Sequence, residues 1–157
     1  MNVSNEALFY AKILLFGEYG IIKDSMGLSI PFNYYEGSFE RSADEPTDKQ
    51  ANSNTRILEY SRHLRKLQET HQAPCELNLD QLDADLAEGM YFESNIPQGF
   101  GVGSSGALVA AIYDRYAINK IESRGDLPQD KIKELKSILG NLESYFHGKS
   151  SGLDPLI

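Results

Sequence analysis

A single cysteine, Cys75, is all the thiol chemistry this sequence of 157 residues holds. No internal disulfide can form, and a reducing compartment fits. Basic residues are also scarce: 15 Lys and Arg stand against 23 Asp and Glu, a formal net charge of −8. Nucleic acid as the main partner wants clustered Lys and Arg, so this balance argues against it, although it leaves room for a local small-phosphate site. No uninterrupted apolar run approaches the ~20 residues of a membrane helix. The start, MNVSNEALFY, lacks the basic end and apolar core of a signal peptide. These absences lead to the expectation of a cytoplasmic protein without a membrane segment. What is present is ordinary, with 41% hydrophobic and 24% charged residues. That suffices for one domain with a sizeable core and is a squeeze for two. The chain stops on the apolar run SGLDPLI. Domains usually finish on a solvated tail or a docked element, so a fragment is the expectation.

Along the chain, 8–16, 27–32 and 34–39 are short apolar or alternating runs, punctuated by Gly17 and Gly20. They predict a β-hairpin or small meander. The polar stretch 40–54, with Pro46, reads as a surface loop. From 54 to 72, Ile57, Leu58, Tyr60, Leu64 and Leu67 fall at three- and four-residue spacing and predict an amphipathic helix that Pro74 ends. A short strand over 75–79, a helix or turn over 82–87 closed by Gly89, and a strand over 90–96 follow. Residues 107–118 are apolar nearly all round at first, as in a buried helix. After Pro128, a good first-turn residue, the stripe Ile132, Leu135, Ile138, Leu139, Leu142, Tyr145 and Phe146 predicts a helix that stops at Gly148. Strands and helices without strict alternation favour an α+β fold.

The string Ile96-Pro97-Gln98-Gly99-Phe100-Gly101-Val102-Gly103-Ser104-Ser105-Gly106 suits a nucleotide phosphate chain. Glycines let backbone N–H groups approach an anion, and a helix start adds unsatisfied donors and partial positive charge. No Lys follows the last glycine, so the Walker pattern is absent, and the glycine spacing is not the dinucleotide fingerprint. The plain alternative is a flexible turn with Ser104 or Ser105 as helix N-cap. Near the end, Glu143, His147, Ser150, Ser151 and Asp154 fall together. A Ser–His–Asp hydrolase needs partners from distant positions. Zinc lacks a third ligand beside Glu143 and His147. A magnesium-dependent phosphotransfer site suits the carboxylates better, since magnesium prefers carboxylate, water and phosphate oxygens. The bland reading is a rim carboxylate at Glu143, a turn former at Asp154 and a C-terminal cap at His147.

Taken together these segments resemble the GHMP kinases, the family of galacto-, homoserine, mevalonate and phosphomevalonate kinases. Ala11-Lys12-Ile13-Leu14-Leu15-Phe16-Gly17-Glu18 resembles their N-terminal motif. Pro97 to Gly106 resembles their phosphate loop, usually Gly-Leu-Gly-Ser-Ser-Ala at its core. Glu143, His147-Gly148, Ser151-Gly152 and Asp154 resemble the mevalonate kinase version of the next motif. Only the stretch from about Phe39 to Gly89 carries no signature. The resemblance implies a two-layer N-terminal ATP- and substrate-binding domain over 1–157, strands packed on helices, with the family's C-terminal domain absent. It implies that Pro97, Gly99, Gly101, Val102, Gly103, Ser104, Ser105 and Gly106 hold ATP. Ser105 and Glu143 would hold Mg2+, and Asp154 with Lys12 beside it would be catalytic. Glu18, His147 and Ser151 would support the substrate. Phosphoryl transfer is mostly positioning and charge neutralisation, which such parts supply. The sequence departs from the family at Ala11, Tyr19, Gly106 and Ser150, where glycine, histidine, alanine and proline are usual.

The expected reaction is mevalonate kinase-like, moving the ATP γ-phosphate to the hydroxyl of a small acid with Mg2+. Another GHMP kinase (phosphomevalonate, homoserine or sugar kinase) or a diphosphomevalonate decarboxylase is the near alternative. A non-catalytic nucleotide-binding or interaction module is the distant one. An apolar edge left without its cover also leaves a homodimer open.

Overall fold

The computed structural model describes residues 7–16, 28–122 and 126–156. Strands β1 (Phe9–Phe16), β2 (Leu28–Arg41) and β3 (Met90–Ser94) form one antiparallel sheet in the order β1-β2-β3. Four helices pack with it: α1 (Asp48–Glu69), α2 (Leu79–Ala87), α3 (Ser104–Tyr116) and α4 (Gln129–His147), followed by a 3-10 turn at Asp154–Leu156. The α+β class expected from the sequence is the class observed. Helix α3 touches β1 and β2 on one side and α4 on another. Its buried Gly106, Ala107, Val109, Ala111 and Ile112 explain why the sequence there is apolar nearly all round.

The core joins sheet and helices through Phe39, Phe92 and Tyr116, whose rings meet edge to face at 5.3 and 6.1 Å. Two of the buried polar groups tie elements of the core together. The Tyr60 hydroxyl donates to the Leu142 carbonyl at 2.7 Å, tying α1 to α4 beside Glu143. Burial raises the Tyr60 pKa and keeps that donor protonated. Asp85 accepts from the Tyr116 hydroxyl and the Gln81 amide, each at 2.9 Å. Burial alone would push its carboxyl up, but those hydrogen bonds and the charges of Arg115 and Arg41 leave it below the ordinary value.

Several boundaries differ from the sequence expectation. The run 34–39 and the described part of the run 27–32 form one strand, β2 (Leu28–Arg41). A register shift between Tyr10 and Ala11, opposite the segment between Phe32 and Glu36, marks an irregular bulge there. Part of the stretch expected as loop is helix, because α1 begins at Asp48. Thr47 accepts from the Gln50 N–H and the Gln50 side chain answers to the Thr47 N–H, a reciprocal capping box. Residues 75–79 form no strand. Leu77 makes an isolated bridge to Ala117, and Leu79 already opens α2.

Candidate active site

Lys12 enters from β1. Its backbone N–H donates to the Val102 carbonyl at 3.0 Å, which fastens the strand to the glycine loop. Gly103 lies against the aliphatic stem: a Cβ there would stand 3.1 Å from Lys12 Cγ. The loop thus buries Lys12, and its ammonium meets Asp154 Oδ1 at 2.8 Å. The side chains are 6% and 28% exposed, respectively. Asp154 opens the last 3-10 turn. It arrives there because the loop after α4 lies flat on that helix. Gly140 and Gly152 meet backbone to backbone, and a Cβ on Gly140 would stand 2.9 Å from the Gly152 nitrogen.

A second cluster forms at the start of α3. The N-cap is Gly103, left-handed at φ 86°, with no side-chain cap. The plain alternative, a turn with Ser104 or Ser105 as N-cap, does not hold: both already lie inside the helix. Ser105 donates to Glu143 Oε1 at 3.1 Å. Its oxygen also lies 2.8 Å from His147 Nε2. The hydroxyl has one proton, so donation to Glu143 requires the His147 ring to donate at Nε2. Ser150 donates to Glu143 Oε2 and accepts from the Gly152 N–H. Glu143 falls on the buried face of α4, one turn beyond Leu139, and is only 2% exposed. Burial pushes its carboxyl above the ordinary range. Asp154 adds to the rise, while the Ser150 and Ser105 hydrogen bonds and His147 offset part of it.

The remaining expected residues spread around these clusters. Gly99 and Gly101 are left-handed, at φ 81° and 68°, with open space where a side chain would go. Between them Phe100 is 79% exposed. Pro97 is half-buried, and Val102 packs on the core. The Ser151 hydroxyl accepts from the Leu153 N–H at 3.3 Å, which turns it to its own loop. Gly17, Glu18 and Tyr19 lie outside the described residues. Asp154 faces Lys12 and His147 faces Ser105, so these residues do not assemble a Ser–His–Asp relay. Among the described residues, no group of three or more His, Cys, Asp or Glu could hold a metal ion by itself. No helix among the described residues is long and apolar enough to cross a membrane.

Sequence reasoning gave no site role to Arg56, Lys49 or Gly140. A cleft of about 470 Å3 opens beside the glycine loop, lined by Lys49, Arg56, Phe92, Gly99, Ser105 and His147 among others. Arg56 donates to Gln98 at 3.2 Å. Both cations look like ordinary solvated-face residues of a helix, which hides them. Gly140 did carry a signal, an isolated glycine inside a helical stripe.

The family model described as GHMP kinases N terminal domain matches residues 61–156. The chain belongs to the GHMP kinases. The matched span holds the glycine loop, Glu143 and Asp154, and Lys12 precedes it. The GHMP kinase domain therefore accounts for one side of the ion pair, and the fold supplies the other through the contact of β1 with the loop. No curated protein matches this chain.

Proposed function

We propose that this GHMP domain is the nucleotide- and acceptor-binding part of a mevalonate kinase-like enzyme, which transfers the ATP γ-phosphate to the hydroxyl of a small hydroxy acid. The observation that carries the reading is the convergence at one end of α3. The uncapped helix start and glycine loop lie beside the Lys12–Asp154 pair at 2.8 Å, and the Ser105–Glu143 pair joins the same helix end.

Each part has work that its chemistry suits. Free N–H groups at the α3 start, with the helix dipole, favour a phosphate chain. The neighbouring cleft gives room for the nucleoside, with Arg56 and Lys49 at its wall. Asp154 would orient the acceptor hydroxyl and take up its proton. Lys12, held against that carboxylate, would stabilise the negative charge that develops on the oxygen and on the moving phosphoryl group. The donor set at Ser105 and Glu143 fits a magnesium ion: a hydroxyl and a buried carboxylate are hard oxygen ligands, and one or two carboxylates with substrate phosphates suffice. A cation there would also compensate the burial of Glu143. Bound in that place, the ion would neutralise phosphate charge. Ser150 holds the other Glu143 oxygen, and His147 fixes the Ser105 hydroxyl.

The His147-Gly148, Ser151-Gly152 and Asp154 pattern favours mevalonate over its relatives. The test is a substrate panel on the whole natural gene product: mevalonate, phosphomevalonate, diphosphomevalonate, homoserine and sugars with Mg-ATP, with ADP release, acceptor phosphorylation and carbon dioxide release followed together. Mevalonate-dependent turnover is expected, reduced at least ~100-fold in Asp154→Asn with little change in nucleotide binding. Turnover with a different acceptor moves the assignment within the family, and release of carbon dioxide from diphosphomevalonate moves it to a decarboxylase. Tight Mg-ATP binding with no turnover on any acceptor would support a binding module instead.

A further inference from the structure

Gly106 sits on the buried face of α3, against the Asp154 turn. A Cβ at this position would stand 2.9 Å from both the carbonyl carbon and the Cβ of Asp154, and 3.0 Å from the Pro155 nitrogen. These are backbone and Cβ atoms, so no side-chain rotation relieves the contact, and the turn itself has to move. Three residues earlier a Cβ on Gly103 would stand 3.1 Å from Lys12 Cγ. Both members of the ion pair therefore rest on a glycine of the same helix start. The other flank of the turn is equally constrained, because the preceding loop is seated on Gly140 through Gly152. A turn pushed off Gly106 cannot slide towards α4 and is driven away from α3.

We propose that Gly106 is a positioning residue: its missing side chain lets Asp154 settle against Lys12, and a single methyl there pulls the carboxylate off the ammonium. The phosphate loop motif that this chain resembles usually has alanine at this place, where this chain carries glycine. The inference rests on the reading of Asp154 as the group that orients the acceptor hydroxyl. Restoring an ordinary van der Waals contact of 3.4–4 Å from 2.9 Å asks for a displacement of about 0.5–1 Å, and a misplacement of that order costs up to ~100-fold in rate.

The test is Gly106→Ala in the whole natural gene product, alone and combined with Asp154→Asn. Gly106→Ala should lower kcat by about 10- to 100-fold. In the Asp154→Asn background the same substitution should cost nothing further. An unchanged kcat, or the same loss in both backgrounds, overturns the proposal and makes Gly106 a packing residue. If the wild type turns over no acceptor, the kinase reading fails by itself. The seat is then judged from crystal structures of wild type and Gly106→Ala: a longer Lys12–Asp154 separation supports it, and an unaltered 2.8 Å overturns it.

Discussion

Removing one partner of the Lys12–Asp154 pair strands the other, and burial makes the two removals unequal. Asp154→Asn leaves an ammonium on a side chain that is 6% exposed, whereas Lys12→Met leaves a carboxylate on one that is 28% exposed. An unpaired charge in a dry interior costs ~3–5 kcal/mol. The asparagine oxygen still accepts from Lys12, and Asp154 opens partly to water, so the loss for Asp154→Asn should be about 2 kcal/mol. Lys12→Met keeps an unbranched apolar stem against Gly103 and removes the buried charge, so it should cost less than about 1 kcal/mol. The gap of at least about 1 kcal/mol corresponds to roughly 2–4 °C in Tm for a chain of this size. Circular dichroism melts of the single variants and of Lys12→Met/Asp154→Asn measure it. The double variant should recover most of what Asp154→Asn loses, because no ammonium is left stranded. Lys12→Met melting at or below Asp154→Asn, or a double variant no better than Asp154→Asn, would refute the reasoning. Turnover should be lost in all three, so stability and activity separate.

Two further outcomes follow from the site. Burial raises the Glu143 carboxyl above its ordinary 4.5, so the folded chain holds that proton to higher pH than the unfolded chain. The associated stability is present below pH 4.5 and is lost as pH rises through the raised value. Glu143→Gln, always neutral, should flatten that decline in melts without divalent cation; an undiminished decline would show that another group causes it. The second concerns Phe100. The chain has no tryptophan, so Phe100→Trp at the exposed loop tip gives a single reporter. Mg-ATP should shift its emission or its acrylamide quenching, and an unchanged signal at nucleotide saturation, established by calorimetry, would place the phosphates away from this loop.

The helices that were easiest to read are those whose buried residues repeat. In α4, Leu135, Leu139 and Leu142 make the stripe, and Pro128 and Gly148 flank the observed Gln129–His147. The first turns of α1 hold no apolar residue to bury, so periodicity is silent there and only the Thr47–Gln50 capping box speaks. In β2, Pro31 and Asn33 interrupt the pattern that would have joined its halves. The glycine loop was legible as chemistry, but the pairing of Lys12 with Asp154 was not. No spacing rule links the two ends of the sequence, and only the resemblance brought them together. Gly106 and Gly140 show a similar gap. A sequence shows that a side chain is missing, whereas only the fold shows what occupies the space.

That distant pairing has a bearing on how the domain comes into being. Lys12 leaves the ribosome well before Asp154, with β2, β3 and the four helices α1 to α4 made between them. The Lys12–Asp154 contact spans from β1 to the loop after α4, so closing it carries a larger loop-closure cost than the Ser105–Glu143 and Ser150–Glu143 contacts. The α1–α2–β3–α3 region can gather around local contacts first. Until the last turn docks, the nascent domain carries a lysine destined for burial with no counterion, and β1 has an incentive to stay loose. The ion pair is therefore expected to form late in the folding of this domain, after the local contacts around it.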